Sequence, residues 1–91
     1  MLKYTNYTLK KLETLFQEQD FTVRYEKGSF QSGYCWVKNQ NVVIINKFYD
    51  TEAKINCLID ILGQIEVKEE QMSKKSAQFY HKMLPQYQEQ R

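Results

Sequence analysis

His81 is the only histidine in the 91 residues. Chemistry that takes two imidazoles from one chain, a histidine-pair zinc site above all, is therefore excluded. No nucleophile or orienting carboxylate accompanies His81 in the sequence, so it reads as a surface residue on the polar half of a helix. Asp50 and Glu52 stand two residues apart, a spacing that sends helical side chains to different faces. They fail as a catalytic pair and fit as a helix cap followed by a first-turn acid. Cys35 and Cys57 each lie in an apolar stretch without CxxC spacing, as small buried hydrophobes of a reducing compartment do. A thiol enzyme built on Cys35 ranks lowest, because no base or oxyanion donor can be assigned to it. Neither GxGxxG nor GxxxxGK[ST] is present, so the backbone cradles for nucleotide phosphates lack their fingerprints. The expectation is a non-enzyme with no catalytic residue, no cofactor and no metal ligand.

The remaining chemistry belongs to surfaces. Aromatic residues make up 14% of the chain, more than a core of this size absorbs, and Phe30, Phe48, Tyr49, Phe79, Tyr80 and Met83 form the expected interaction surface. Its partner would be another protein or a second copy of the chain. An alternative face sets Tyr34 and Trp36 for base stacking, with Arg24, Lys27, Lys38 and Lys47 for phosphate contacts. Strands favour aromatics for packing alone, however, and no RNP-type motif occurs. Thirteen basic and eleven acidic residues give a net charge of +2, too even to demand nucleic acid. The apolar run at positions 42–45 is far short of the roughly 20 residues a membrane helix needs. The N-terminal MLKYTNYTLKK lacks the apolar region of a signal peptide, which makes the cytoplasm the default compartment.

The elements that must position these residues follow from hydrophobic spacing. Leu9, Leu12, Leu15 and Phe16 share one face of a first helix over residues 8–19, with Thr8 as its cap. Phe21, Val23 and Tyr25 alternate with polar residues as in a half-buried strand. A loop over residues 27–33 holds two of the three glycines. Residues 34–37 read as a second strand, 38–41 as a turn and 42–45 as a third strand buried on both faces at the sheet centre. Asp50 caps a second helix whose stripe is Ile55, Leu58, Ile59, Leu62 and Ile65, loosened or ended by Gly63. A third helix is expected over residues 69–83, with Met72, Phe79 and Met83 inward and Pro85 beyond its end. The predicted class is α+β, a single domain over 1–85 with a frayed tail over 86–91. Its order is α-β-β-β-α-α, a three-stranded sheet covered by helices as a single pair of layers.

Two segments carry a resemblance. RYEKGSFQSGYC at 24–35 and NKFYDTEAKIN at 46–56 look like those of a group of small, uncharacterised bacterial proteins, a likeness that covers about half the chain and brings no activity. A helix, a Gly-Tyr hairpin leading to Val-Ile-Ile-Asn and an acid-capped helix also resemble the core of small zincin metallopeptidases. In that family the second helix carries HExxH. The matching segment here, Asp60, Ile61, Leu62, Gly63 and Gln64, keeps the Leu-Gly pair of the common HELGH form but neither histidine nor the glutamate. The resemblance therefore implies a zinc-free relative, without stoichiometric zinc or peptidase activity.

Overall fold

A computed structural model describes residues 3–27 and 33–90, with backbone alone at 34–37 and 84–90. The first helix, α1 (Asn6–Glu18), buries Leu9, Leu12, Leu15 and Phe16. Its cap is Thr5 rather than the expected Thr8. The Thr5 hydroxyl accepts the Thr8 N–H at 3.2 Å, and Thr8 is itself buried one turn inside the helix. The chain leaves α1 through Asp20 in the left-handed conformation, φ 64°, which Asp tolerates better than most residues.

Three strands follow: β1 (Phe21–Glu26), β2 (Gly33–Val37) and β3 (Gln40–Asn46). The turn between β2 and β3 is two residues long, with Lys38 at φ 49° and Asn39 at φ 64°. Two consecutive left-handed residues are the signature of a type I′ turn, whose twist matches that of antiparallel strands. This tightness lets Gln40 pair with Val37, so β3 starts two residues before the expected Val42. β3 is the central strand, in the order β1-β3-β2. It pairs with β1 in parallel, Val23 opposite Val43 and Tyr25 opposite Ile45, and with β2 antiparallel. Val43 and Ile45 are fully buried under the helices, and Val42, at a position of opposite pleat, is buried too.

The second helix, α2 (Thr51–Leu62), is capped by Asp50, whose Oδ1 accepts the Ala53 N–H at 2.8 Å. Glu52 lies in its first turn, where the positive end of the helix dipole favours a carboxylate. Ile55, Leu58, Ile59, Ile61 and Leu62 are buried. Each such side chain contributes about 1.5–3 kcal/mol by leaving water. Gly63 follows the helix at φ −73°, a right-handed conformation open to any residue.

The predicted architecture needs correction at three points. Only β1 and β3 form a parallel pair, a two-stranded unit to which β2 adds an antiparallel edge, rather than one uniform three-stranded sheet. The order is not α-β-β-β-α-α, because a 3-10 turn (Glu69–Gln71) separates α2 from the third helix, α3 (Lys74–Gln90). Ser73 sets that later start: its hydroxyl accepts the Ser76 N–H at 3.2 Å, as an N-cap does. The helices do not make one layer over the sheet either. α1 and α2 pack on it, whereas the principal contact of α3 is with α1. What stands is the coarser class, mixed α+β.

α3 also runs through Pro85 and takes in most of the segment read as a tail. Proline offers no N–H, so the carbonyl four residues earlier, that of His81, loses its helical donor there. Among the described residues no helix is long and apolar enough to cross a membrane.

Candidate functional site

The loop between β3 and α2 is built to hold one aromatic out of the core. Asn46 is buried, and its side-chain oxygen accepts the Phe48 N–H at 3.0 Å, forming an Asx turn. The Lys47 N–H bonds to the Glu26 carbonyl at 2.8 Å and the Tyr49 N–H to the Asn46 carbonyl at 3.2 Å. With Asp50 already committed to the α2 cap, the loop is fixed at both ends, yet Phe48 is 71% exposed. The Thr51 hydroxyl donates to Asn6 Oδ1 at 3.2 Å and so joins the first turns of α1 and α2. Tyr7, next to Asn6, is also 71% exposed, and Tyr4 is 38% exposed. The bond from Thr51 to Asn6 brings the start of α1, where Tyr4 and Tyr7 lie, to the start of α2, which directly follows Phe48 and the half-buried Tyr49. Exposed Lys3, Lys47, Asp50 and Glu52 surround them in sequence.

A groove of about 370 Å³ lies between α1 and α3, with Tyr7 in its lining. Tyr7, Lys10, Lys11 and Thr14 line one side at helical spacing, and Ser73, Lys75, Ser76 and Phe79 line the other. The Lys11 ammonium lies 5.0 Å from the centre of the Tyr7 ring and 5.7 Å from that of Phe79, within cation–π range of both. Next to the groove residue Ser73, Glu18 Oε1 accepts the Ser73 N–H at 3.1 Å. Burial alone would raise the Glu18 pKa. Hydrogen bonds from the Ser76 hydroxyl and from the Ser73 amide and hydroxyl outweigh it and hold the carboxyl below its ordinary value.

No family model matches the chain, and neither a curated protein nor a solved structure matches it.

The structure distributes the sequence-predicted residues unevenly. Phe48 and Tyr49 share the loop before α2, but Met83 is only 2% exposed and belongs to the core, and Phe79 and Tyr80 pack partly against that core. Met83 is drawn inward because α3 lies on α1 and adds its own apolar residues to the same cluster. Phe30 lies outside the described residues. Sequence reasoning passed over Tyr4 and Tyr7 because they flank a helix start and break no pattern; their signal was an aromatic at a position off the apolar stripe.

Of the basic and aromatic face, Arg24 is exposed and paired with Glu26 at 3.0 Å, and Lys27, Lys38 and Lys47 are exposed. The side chains of Tyr34, Cys35 and Trp36 lie outside those described. By register Arg24 pairs with Ile44 and Tyr34 with Val43, adjacent positions on β3.

In the segment that resembles HExxH, α2 ends at Leu62, so exposed Asp60 is in the last turn and Gln64 is beyond the helix. Among the described residues no group of three His, Cys, Asp or Glu side chains is placed to hold a metal. His81 instead meets Glu69 at 2.7 Å on the surface. Cys57 is half-buried against the core.

Proposed function

We propose that this protein is a non-enzymatic interaction domain that pairs with a second copy of itself through Tyr4, Tyr7, Phe48 and Tyr49. The observation that carries this reading is the fixed outward presentation of Phe48. A loop held by a buried Asn46, an inter-element hydrogen bond and a helix cap leaves a large apolar ring 71% exposed. An ordered aromatic held in water loses the area it would bury against a partner, and it meets a partner with little further loss of freedom. The surrounding charges favour a copy of the same chain. Exposed Lys47, Asp50 and Glu52 flank Phe48 and Tyr49 in sequence, and a surface that carries both signs is one that a self-complementary interface can use.

Light scattering over a wide concentration range tests it. The wild type is expected to move from the 11.0 kDa chain toward twice that mass, and Phe48→Ser is expected to stay monomeric with an unchanged circular dichroism spectrum. A wild type that keeps the mass of one chain at millimolar concentration removes the reading.

A further inference from the structure

We propose that the groove between α1 and α3 is a binding site for a small ligand that carries both a planar aromatic ring and a phosphate, the chemistry of a nucleoside monophosphate. Its volume of about 370 Å³ falls in the range of small-molecule sites, roughly 300–1,000 Å³. Two walls are the Tyr7 and Phe79 rings, which accept a flat heteroaromatic ring by stacking or edge contact. Three lysines, Lys10, Lys11 and Lys75, line the same groove. Among the described residues none of the three is paired with a carboxylate, since the two ion pairs found there are Arg24 with Glu26 and His81 with Glu69.

One lysine suffices for a carboxylate. Three around a compact space match the higher charge of a phosphate, to which lysine binds as a point charge. The N-terminus of α3 does not serve as the anion site, because Glu18 already occupies it through Ser73 and Ser76. Recognition thus falls to the lysines, and a glycine-rich phosphate cradle is not needed. Lys11 links the two halves of the ligand: its ammonium is held between the rings, so an anion drawn to it brings the attached ring against Tyr7 or Phe79.

The groove shares Tyr7 with the proposed pairing surface but is lined by none of Tyr4, Phe48 and Tyr49, and the test uses residues away from Phe48. Adenosine monophosphate is the probe in calorimetric titrations of the full chain at low salt. It is expected to bind saturably, with adenosine and inorganic phosphate each at least tenfold weaker, and the affinity is expected to fall in high salt. Charge-assisted contacts of this kind predict a loss of about tenfold or more for Lys11→Met and for Lys75→Glu. Should Lys11→Met not fold, the exposed positions 10 and 75, as Lys10→Glu and Lys75→Glu, carry the comparison. The proposal is overturned by no binding of the nucleotide at millimolar concentration, by inorganic phosphate binding as tightly as the nucleotide, or by wild-type affinity in the lysine variants. Much tighter binding of a short oligoadenylate would also overturn it, by assigning the groove to a nucleic-acid strand.

Discussion

Gln19 illustrates how much a single polar side chain does in so small a fold. It is 6% exposed, and its amide makes two bonds with one peptide: Nε2 donates to the Lys68 carbonyl at 2.9 Å and Oε1 accepts the Lys68 N–H at 2.6 Å. The side chain thus imitates a strand neighbour and ties the end of α1 to the segment that follows α2. Replacing it with Ala leaves the Lys68 N–H without its partner and the Lys68 carbonyl with the Gln71 N–H alone, at 3.1 Å, at a cost of about 2 kcal/mol. Urea denaturation of Gln19→Ala is expected to show that loss with an unchanged slope, and a loss under half a kilocalorie would show that water replaces the amide. Tyr25 gives a second residue-scale prediction. Its hydroxyl donates to Glu13 on α1 and its ring lies 5.1 Å from the Lys54 ammonium on α2. Burial, then the hydrogen bond to Glu13 and repulsion by its charge, raise the Tyr25 pKa far above the ordinary 10.0. A raised native pKa stabilises the fold fully below the unfolded value and loses that stabilisation as pH climbs past it. The wild type is therefore expected to lose stability between about pH 9 and about pH 11 more steeply than Tyr25→Phe. An equal slope in the two proteins, followed by urea unfolding, would remove the Tyr25 contribution.

At the scale of elements, the β2–β3 turn carries the strain that is simplest to test. Lys38 and Asn39 both hold positive φ, and Lys pays a steric penalty there that Gly avoids and Asn largely escapes. Replacing the pair by Asn-Gly, through Lys38→Asn and Asn39→Gly, is expected to stabilise the protein by about 1 kcal/mol, seen as a higher urea midpoint. Destabilisation would mean that the Lys38 side chain makes a contribution larger than the strain. This turn also shows what the sequence disclosed and what it hid. The polar run at 38–41 announced a reversal, but a Lys-Asn pair is not the usual type I′ signal, so two residues of β3 read as turn. Periodicity located α1, β1 and α2 because each buries one regular face: Leu12, Val23 and Ile55 are where their spacing puts them. Pairing was less legible. The continuous apolar run at 42–45 put β3 at the sheet centre, where it lies, but nothing local in Phe21, Val23 and Tyr25 says that β1 runs parallel to it, because strand direction in a sheet is set by the path of the whole chain. The start of α3 was misplaced for a local reason, since Ser73 is compatible with a helix interior as well as with a cap. The groove was invisible because its two walls are far apart in the chain. Lys11 and Phe79 are 68 positions apart in sequence, and only the packing of α3 on α1 brings that ring over the ammonium.

For the whole molecule, size sets the terms. The radius of gyration is 12.6 Å, near the roughly 12 Å expected of a compact chain of this length, so little is gained by tighter folding. A chain this short buries only about 60–65% of its unfolded surface, and its stability is correspondingly small. Tyr7 and Phe48, left in water by the single chain, are an untapped part of that surface. If a second copy covers them, folding and pairing share one equilibrium, and mass action makes stability depend on protein concentration. Each tenfold rise then adds about 1.4 kcal/mol per dimer, or about 0.7 kcal/mol per chain. For a domain of this size that corresponds to a rise in Tm of about 3–5 °C per tenfold above the dissociation constant. Thermal melts at three concentrations check it in one experiment, with Phe48→Ser as control. The variant is expected to melt at one temperature throughout, close to the wild type at its lowest concentration, because Phe48 contributes little to the core of the single chain. A wild-type Tm that does not move with concentration, or a variant that melts well below the dilute wild type, would return Phe48 to an intramolecular role.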